Sequence, residues 1–106
     1  MTAAELIQSL PQRMKKGVGQ GQQLIYHFDI SGAEGGQFTV KVNDGVCTVQ
    51  SGLTGEPECV VQAKDKVYED VEMGRTNPQT AVLFGKVKVS NIPSMLSFAQ
   101  MFERAI

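Results

Sequence analysis

The stretch Leu83-Phe84-Gly85-Lys86-Val87-Lys88-Val89-Ser90-Asn91 decides the fold. Gly85 joins the end of a short apolar helix to a strand in which lysine and valine alternate. Successive side chains of a strand point to opposite faces, so Lys86 and Lys88 share one side and Val87 and Val89 the other. A strand with one wet face and one buried face calls for further strands beside it and an apolar layer against the valines. The function is to be sought on the buried side.

The further strands lie upstream, where the hydrophobic period is two from Leu24 to Ala63. Leu24, Tyr26, Phe28 and Ile30 share one face of a first strand, with Ile25, His27 and Asp29 on the other. Phe38, Val40 and Val42 repeat the pattern after a turn at Ser31 to Gly36. Asn43, Asp44 and Gly45 tolerate positive φ and predict a tight hairpin into a third strand, Val46 to Gln50. Its inner face stays open between Cys47 with Val49 and Val46 with Thr48. A fourth strand alternates Cys59, Val61 and Ala63 with Val60 and Gln62, and Lys86 to Val89 is the fifth.

Helical signals bracket these strands. Thr2 and Glu5 form a capping box ahead of Leu6, Ile7, Leu10 and Met14, with a kink or restart expected at Pro11 and a stop at Gly17. Asp65 is a candidate N-cap for a helix carrying Val67, Tyr68 and Val71 and closed by Gly74. Asn77 and Pro78 start the short apolar helix that ends at Phe84. Ser94 is a candidate cap for a last helix, whose Met95, Phe98, Ala99 and Phe102 fall at helical spacing.

Composition excludes more than it assigns. The 106 residues suit one domain over residues 1–106, which buries roughly two thirds of the surface of its unfolded chain. Ten basic and eleven acidic residues give a net charge of −1, and no run of like charge exceeds Lys15 and Lys16. Nucleic acid is not expected as a partner, and an acidic membrane surface is a poor main partner, leaving at most transient membrane contact. There is neither an apolar run of bilayer length nor a signal peptide at the N-terminus, so a cytoplasmic protein is expected.

Catalytic groups are sparse. His27 is the only histidine, reads as a solvated surface residue, and has no local partner beyond Asp29. Cys47 and Cys59 lack metal-ligand spacing and read as reduced core thiols. The glycines at 17, 19 and 21 follow a helix and precede a strand, the reverse of a phosphate-binding loop. No enzyme, cofactor or metal is expected.

The stretch Phe84 to Asn91, with Asn77, Pro78 and Ala81 ahead of it, resembles the F-x-G-K-apolar-K-apolar signature of the sterol carrier protein type 2 family of lipid carriers. The resemblance implies an α+β fold: a mixed five-stranded sheet in the order 3-2-1-4-5, helices over one face, and an apolar tunnel between the layers. It also implies non-enzymatic binding and transfer of a fatty acid, fatty acyl-CoA, sterol or phospholipid. The chain closes on Glu103-Arg104-Ala105-Ile106 rather than a Ser-Lys-Leu terminus, which departs from the peroxisomal carriers; separately, a stand-alone domain is expected.

The residues expected to line the pocket are Tyr26, Phe28, Phe38, Val40, Val61, Ala63, Phe84, Val87, Val89, Met95, Phe98 and Phe102. Met73, Met95 and Met101 add soft side chains that repack around variable guests. The last helix reads equally as a movable lid or as a docked core helix. Periodicity does not separate a hollow core from a solid one, so the alternative is an interaction module, monomeric or homodimeric, with a solid core and no bound lipid.

Overall fold

The computed structural model describes residues 1–105. Asp44 and Gly45 take positive φ, 48° and 82°, and make the two-residue turn whose twist matches that of the flanking strands. They join β2 (Gly36–Asn43) to β3 (Val46–Ser51), pairing Val42 with Cys47 and Val40 with Val49. This register assigns the face that periodicity left open: Cys47 and Val49 lie on the side of Val40 and Val42.

β1 (Gln23–Ser31) runs antiparallel to β2 and parallel to β4 (Cys59–Lys64), and β5 (Val87–Val89) closes the other edge antiparallel to β4. The order β3-β2-β1-β4-β5 is the expected mixed sheet. Phe28 faces Phe38 on one neighbour and Val61 on the other, while Val61 and Ala63 pair with Val89 and Val87. One face is therefore apolar across all five strands.

The helices differ from the sequence reading mainly at their ends. α1 (Ala3–Gln8) starts with the Thr2–Glu5 capping box and breaks at Ser9, and α2 (Leu10–Arg13) restarts with Pro11 in its first turn. The helical run ends well before Gly17; Met14 instead bridges to Phe102 in the C-terminal segment. Lys64, not Asp65, is the N-cap of α3 (Asp65–Glu72). The Asp65 carboxylate accepts the Glu34 and Lys66 N–H groups at 3.0 and 2.8 Å, tying the β1–β2 turn to this helix.

α4 (Pro78–Leu83) is capped by Asn77 as expected. α5 (Ile92–Ala99) starts earlier than expected, because Asn91 rather than Ser94 caps it, accepting the Ser94 N–H at 3.1 Å. It also ends before Phe102.

Polar pins hold these short helices to one another. The Ala3 N–H donates to the buried Glu69 carboxylate at 3.0 Å. Arg13 reaches the Leu6 and Glu103 carbonyls, the Ser9 hydroxyl and Glu72, so one guanidinium joins α1, α3 and the C-terminal segment. Tyr68 donates to the same Glu72 carboxylate at 2.9 Å, and burial together with that negative charge holds its phenol well above the usual range. Among the described residues no helix is long and apolar enough to cross a membrane.

Candidate functional site

The inner face of the sheet and the helices over it gather most of the expected site residues. Tyr26, Phe28, Phe38, Val40, Val61, Ala63, Val87, Phe98 and Phe102 are buried, and Val89 and Met95 are partly buried against the same cluster. Leu6, Ile7 and Leu10 from the N-terminal helices pack into it as well. Cys47 and Val49 also join it, residues that counting the register across the hairpin from Val42 would have found.

Phe98 is the centre of the interlayer contact. It is 2% exposed, with its ring centroid 4.2 Å from Tyr26, 4.8 Å from Phe102 and 5.9 Å from Phe28. Tyr68 meets Phe28 edge-on at 5.9 Å. Aromatic pairs at these separations are favourable beyond the area they bury. The Tyr26 hydroxyl donates to the Ser94 carbonyl at 3.2 Å, so β1 holds the first turn of α5 as well as its last. Past its end, the Lys15 N–H donates to the Met101 carbonyl at 2.8 Å. α5 is thus an apolar cover that meets the sheet through aromatic rings, with hydrogen bonds tying the chain before it to β4 and the chain after it to Arg13 and Lys15.

Phe84 does not belong to this set. Its side chain is 71% exposed, because Gly85 at φ 73° turns the chain sharply from the end of α4 into β5 and leaves Phe84 on the outside. Of α4, it is Ala81 that enters the core.

The outer face corrects a second expectation. His27 is 8% exposed rather than solvated, because residues 52–58 fold across it. Its Nε2 lies 2.8 Å from the Thr54 carbonyl, which only accepts, so that nitrogen carries the proton. Thr39 beside it is fully buried, donating to the Gly52 carbonyl and accepting the Thr54 N–H. Asp29 accepts from the Gln37 and Gln62 amides instead of from His27. The histidine therefore holds a loop rather than forming a dyad.

Both cysteines are free and buried, and burial pushes the Cys47 thiol up to about 11. Among the described residues no three His, Cys, Asp or Glu side chains gather as metal ligands.

Beyond that loop the outer face lies open. A depression of about 570 Å³ runs over the ends of β1, β4 and β5, lined by Asp29, Ser31, Gln62, Ala63, Lys64, Val67, Gly85, Lys86 and Lys88. A second, of about 310 Å³, lies between the α2–β1 connection and the β2–β3 turn.

Comparison with solved structures gives the same fold. A double mutant of the sec-alkyl sulfatase PisA1 aligns at a TM-score of 0.86 and 14% identity over the whole chain, which spans only 17% of the sulfatase. Palmitated SCP2L2 from Aedes aegypti, solved by NMR, aligns at 0.73 and 15% identity over 100% of both chains. The sterol carrier protein domain 2 of Helicoverpa armigera aligns at 0.61 and 22% identity over 73% of this chain and 64% of that one. No curated protein sequence matches the chain. The sequence profile described as the SCP-2 sterol transfer family matches residues 4–103, nearly the full length, and the chain belongs to that family.

Proposed function

We propose that this chain is a non-enzymatic carrier that binds one apolar lipid between the inner face of the sheet and α5, and acts in the cytoplasm as a single domain. The observation that carries the reading is the continuous apolar face of five strands, covered by a helix that meets it through an aromatic cluster. Family membership supports the class of ligand, and a fatty acyl chain, free or as its CoA ester, suits the site best. Each methylene moved out of water contributes about 0.8 kcal/mol, so a long chain is held without dedicated polar contacts. The rings of Tyr26, Phe98 and Phe102 pack on one another between sheet and helix, and the ligand enters by shifting α5 and replacing their mutual contacts. Met95 and Met101, both packed on this cluster, are the unbranched side chains suited to such repacking.

Native mass spectrometry of the purified protein, with and without added palmitate, tests the proposal. The expected result is a one-to-one complex. No bound lipid, together with failure to shield a fluorescent fatty acid from water, overturns the reading in favour of a solid-core interaction module. Ala63 provides a second test, since it faces inward between Ile30 and Val87. Ala63→Phe is expected to lower lipid capacity more than stability, and a loss of binding that merely tracks unfolding refutes the site.

A further inference from the structure

The corner where α4 meets β5 carries apolar side chains that folding does not use. Leu83 is 80% exposed and Phe84 71% exposed, although α4 is already held by the Asn77 cap, by Ala81 in the core and by the Lys86 N–H donating to the Ala81 carbonyl. The next residues, Gly85 and Lys86, line the open depression on the outer face, together with Lys64 and Lys88. Gln62 pairs with Lys88 and Ala63 with Val87, and one further step of that register sets Lys64 across from Lys86.

All three lysines are exposed, and among the described residues none lies within ion-pair distance of a carboxylate. Asp29 is the one acidic residue lining the depression, and its carboxylate is taken up by the Gln37 and Gln62 amides. A chain of net charge −1 thus concentrates positive charge beside two exposed apolar side chains.

We infer that this corner docks the protein on an anionic lipid bilayer, with Leu83 and Phe84 entering the interface and Lys64, Lys86 and Lys88 meeting the negative headgroups. The charge complementarity is local and invisible in the net charge, because exposed charges farther away than about 8 Å are screened at physiological ionic strength. A nucleic-acid backbone rewards the lysines but offers nothing to a leucine and a phenylalanine side by side. An interfacial site uses both. The inference does not require a hollow core: partition onto vesicles reads the surface, whereas retention of palmitate reads the interior.

The test is co-sedimentation of the protein with vesicles of phosphatidylcholine alone or mixed with phosphatidylglycerol. Binding is expected only to the anionic vesicles and is expected to fall as salt is raised. Each lysine near such a surface is worth roughly fivefold, so replacing all three by glutamine should weaken binding about a hundredfold. Leu83→Ser with Phe84→Ser should weaken it about tenfold or more. These side chains are exposed, so circular dichroism and the unfolding midpoint of each variant should match the parent. Equal binding to neutral vesicles, undiminished binding of the lysine variant, or self-association through Leu83 and Phe84 without vesicle binding would each overturn the assignment.

Discussion

Replacing Phe98 with alanine probes the contact on which the proposed site depends. The side chain is almost completely buried and meets three other rings, so its removal carries the full cost of a buried phenylalanine, about 4 kcal/mol. For a domain of this size that loss lowers the thermal midpoint by roughly 15–30 °C. The vacated space borders Tyr26, Phe28 and Phe102, where an acyl chain is proposed to lie.

Lipid should therefore restore more stability to Phe98→Ala than it adds to the parent. A ligand at a hundred times its Kd stabilises by about 2.7 kcal/mol, enough to recover more than half of the loss. Urea denaturation of parent and variant, each with and without palmitate, measures all four quantities. A destabilisation below about 1.5 kcal/mol would show that α5 is not held by this stack. Identical stabilisation of parent and variant by palmitate would refute the claim that Phe98 occupies the ligand's space.

Further perturbations test the frame around the site. A Cβ on Gly35 would collide with the Ile30 carbonyl oxygen, so Gly35→Ala should cost at least about 2 kcal/mol; Gly52→Ala, strained by φ 90° but sterically open, should cost about 1 kcal/mol, both by denaturant titration. Hydrogen bonds from the Glu34 and Lys66 N–H groups lower the Asp65 carboxyl below its unfolded value of 3.8. Its stabilising contribution is therefore present above about pH 4 and lost as pH falls through the folded value, and the stability gap between parent and Asp65→Ala should narrow in acid. The Cys47 thiol, raised to about 11, should react with a thiol reagent at mildly alkaline pH on the order of a hundredfold more slowly than in the unfolded chain.

Much of the architecture is written locally. Alternation at Tyr26, Phe28 and Ile30, at Phe38, Val40 and Val42, and at Lys86 to Val89 gives each strand its inward face, because side chains alternate whatever lies beside them. Asn77 with Pro78, Thr2 with Glu5, and Asp44 with Gly45 each satisfy a backbone requirement within a few residues. The cap positions are less local: Asp65 is drawn away from capping by the Glu34 N–H, 31 residues upstream, while Asn91, three residues ahead of Ser94, takes the cap there.

The sequence by itself determined the strand faces, the hairpin, the helix starts to within a few residues and, through Phe84 to Asn91, the family resemblance. Tertiary structure alone decided what covers each face. His27 and Thr39 are buried because a loop from residues 52–58 crosses the outer face, and no periodicity in β1 or β2 encodes that crossing. Phe84, as apolar as Phe98, points away from the core because the turn at Gly85 sets its direction, while Phe98 is pulled inward by Tyr26 from a strand 68 positions away from the Ser94 carbonyl to which that tyrosine donates. Lys64 joins Lys86 and Lys88 only through the pairing of β4 with β5. Hydrophobicity says that a side chain gains by leaving water, but only the assembled fold says where there is a surface to receive it.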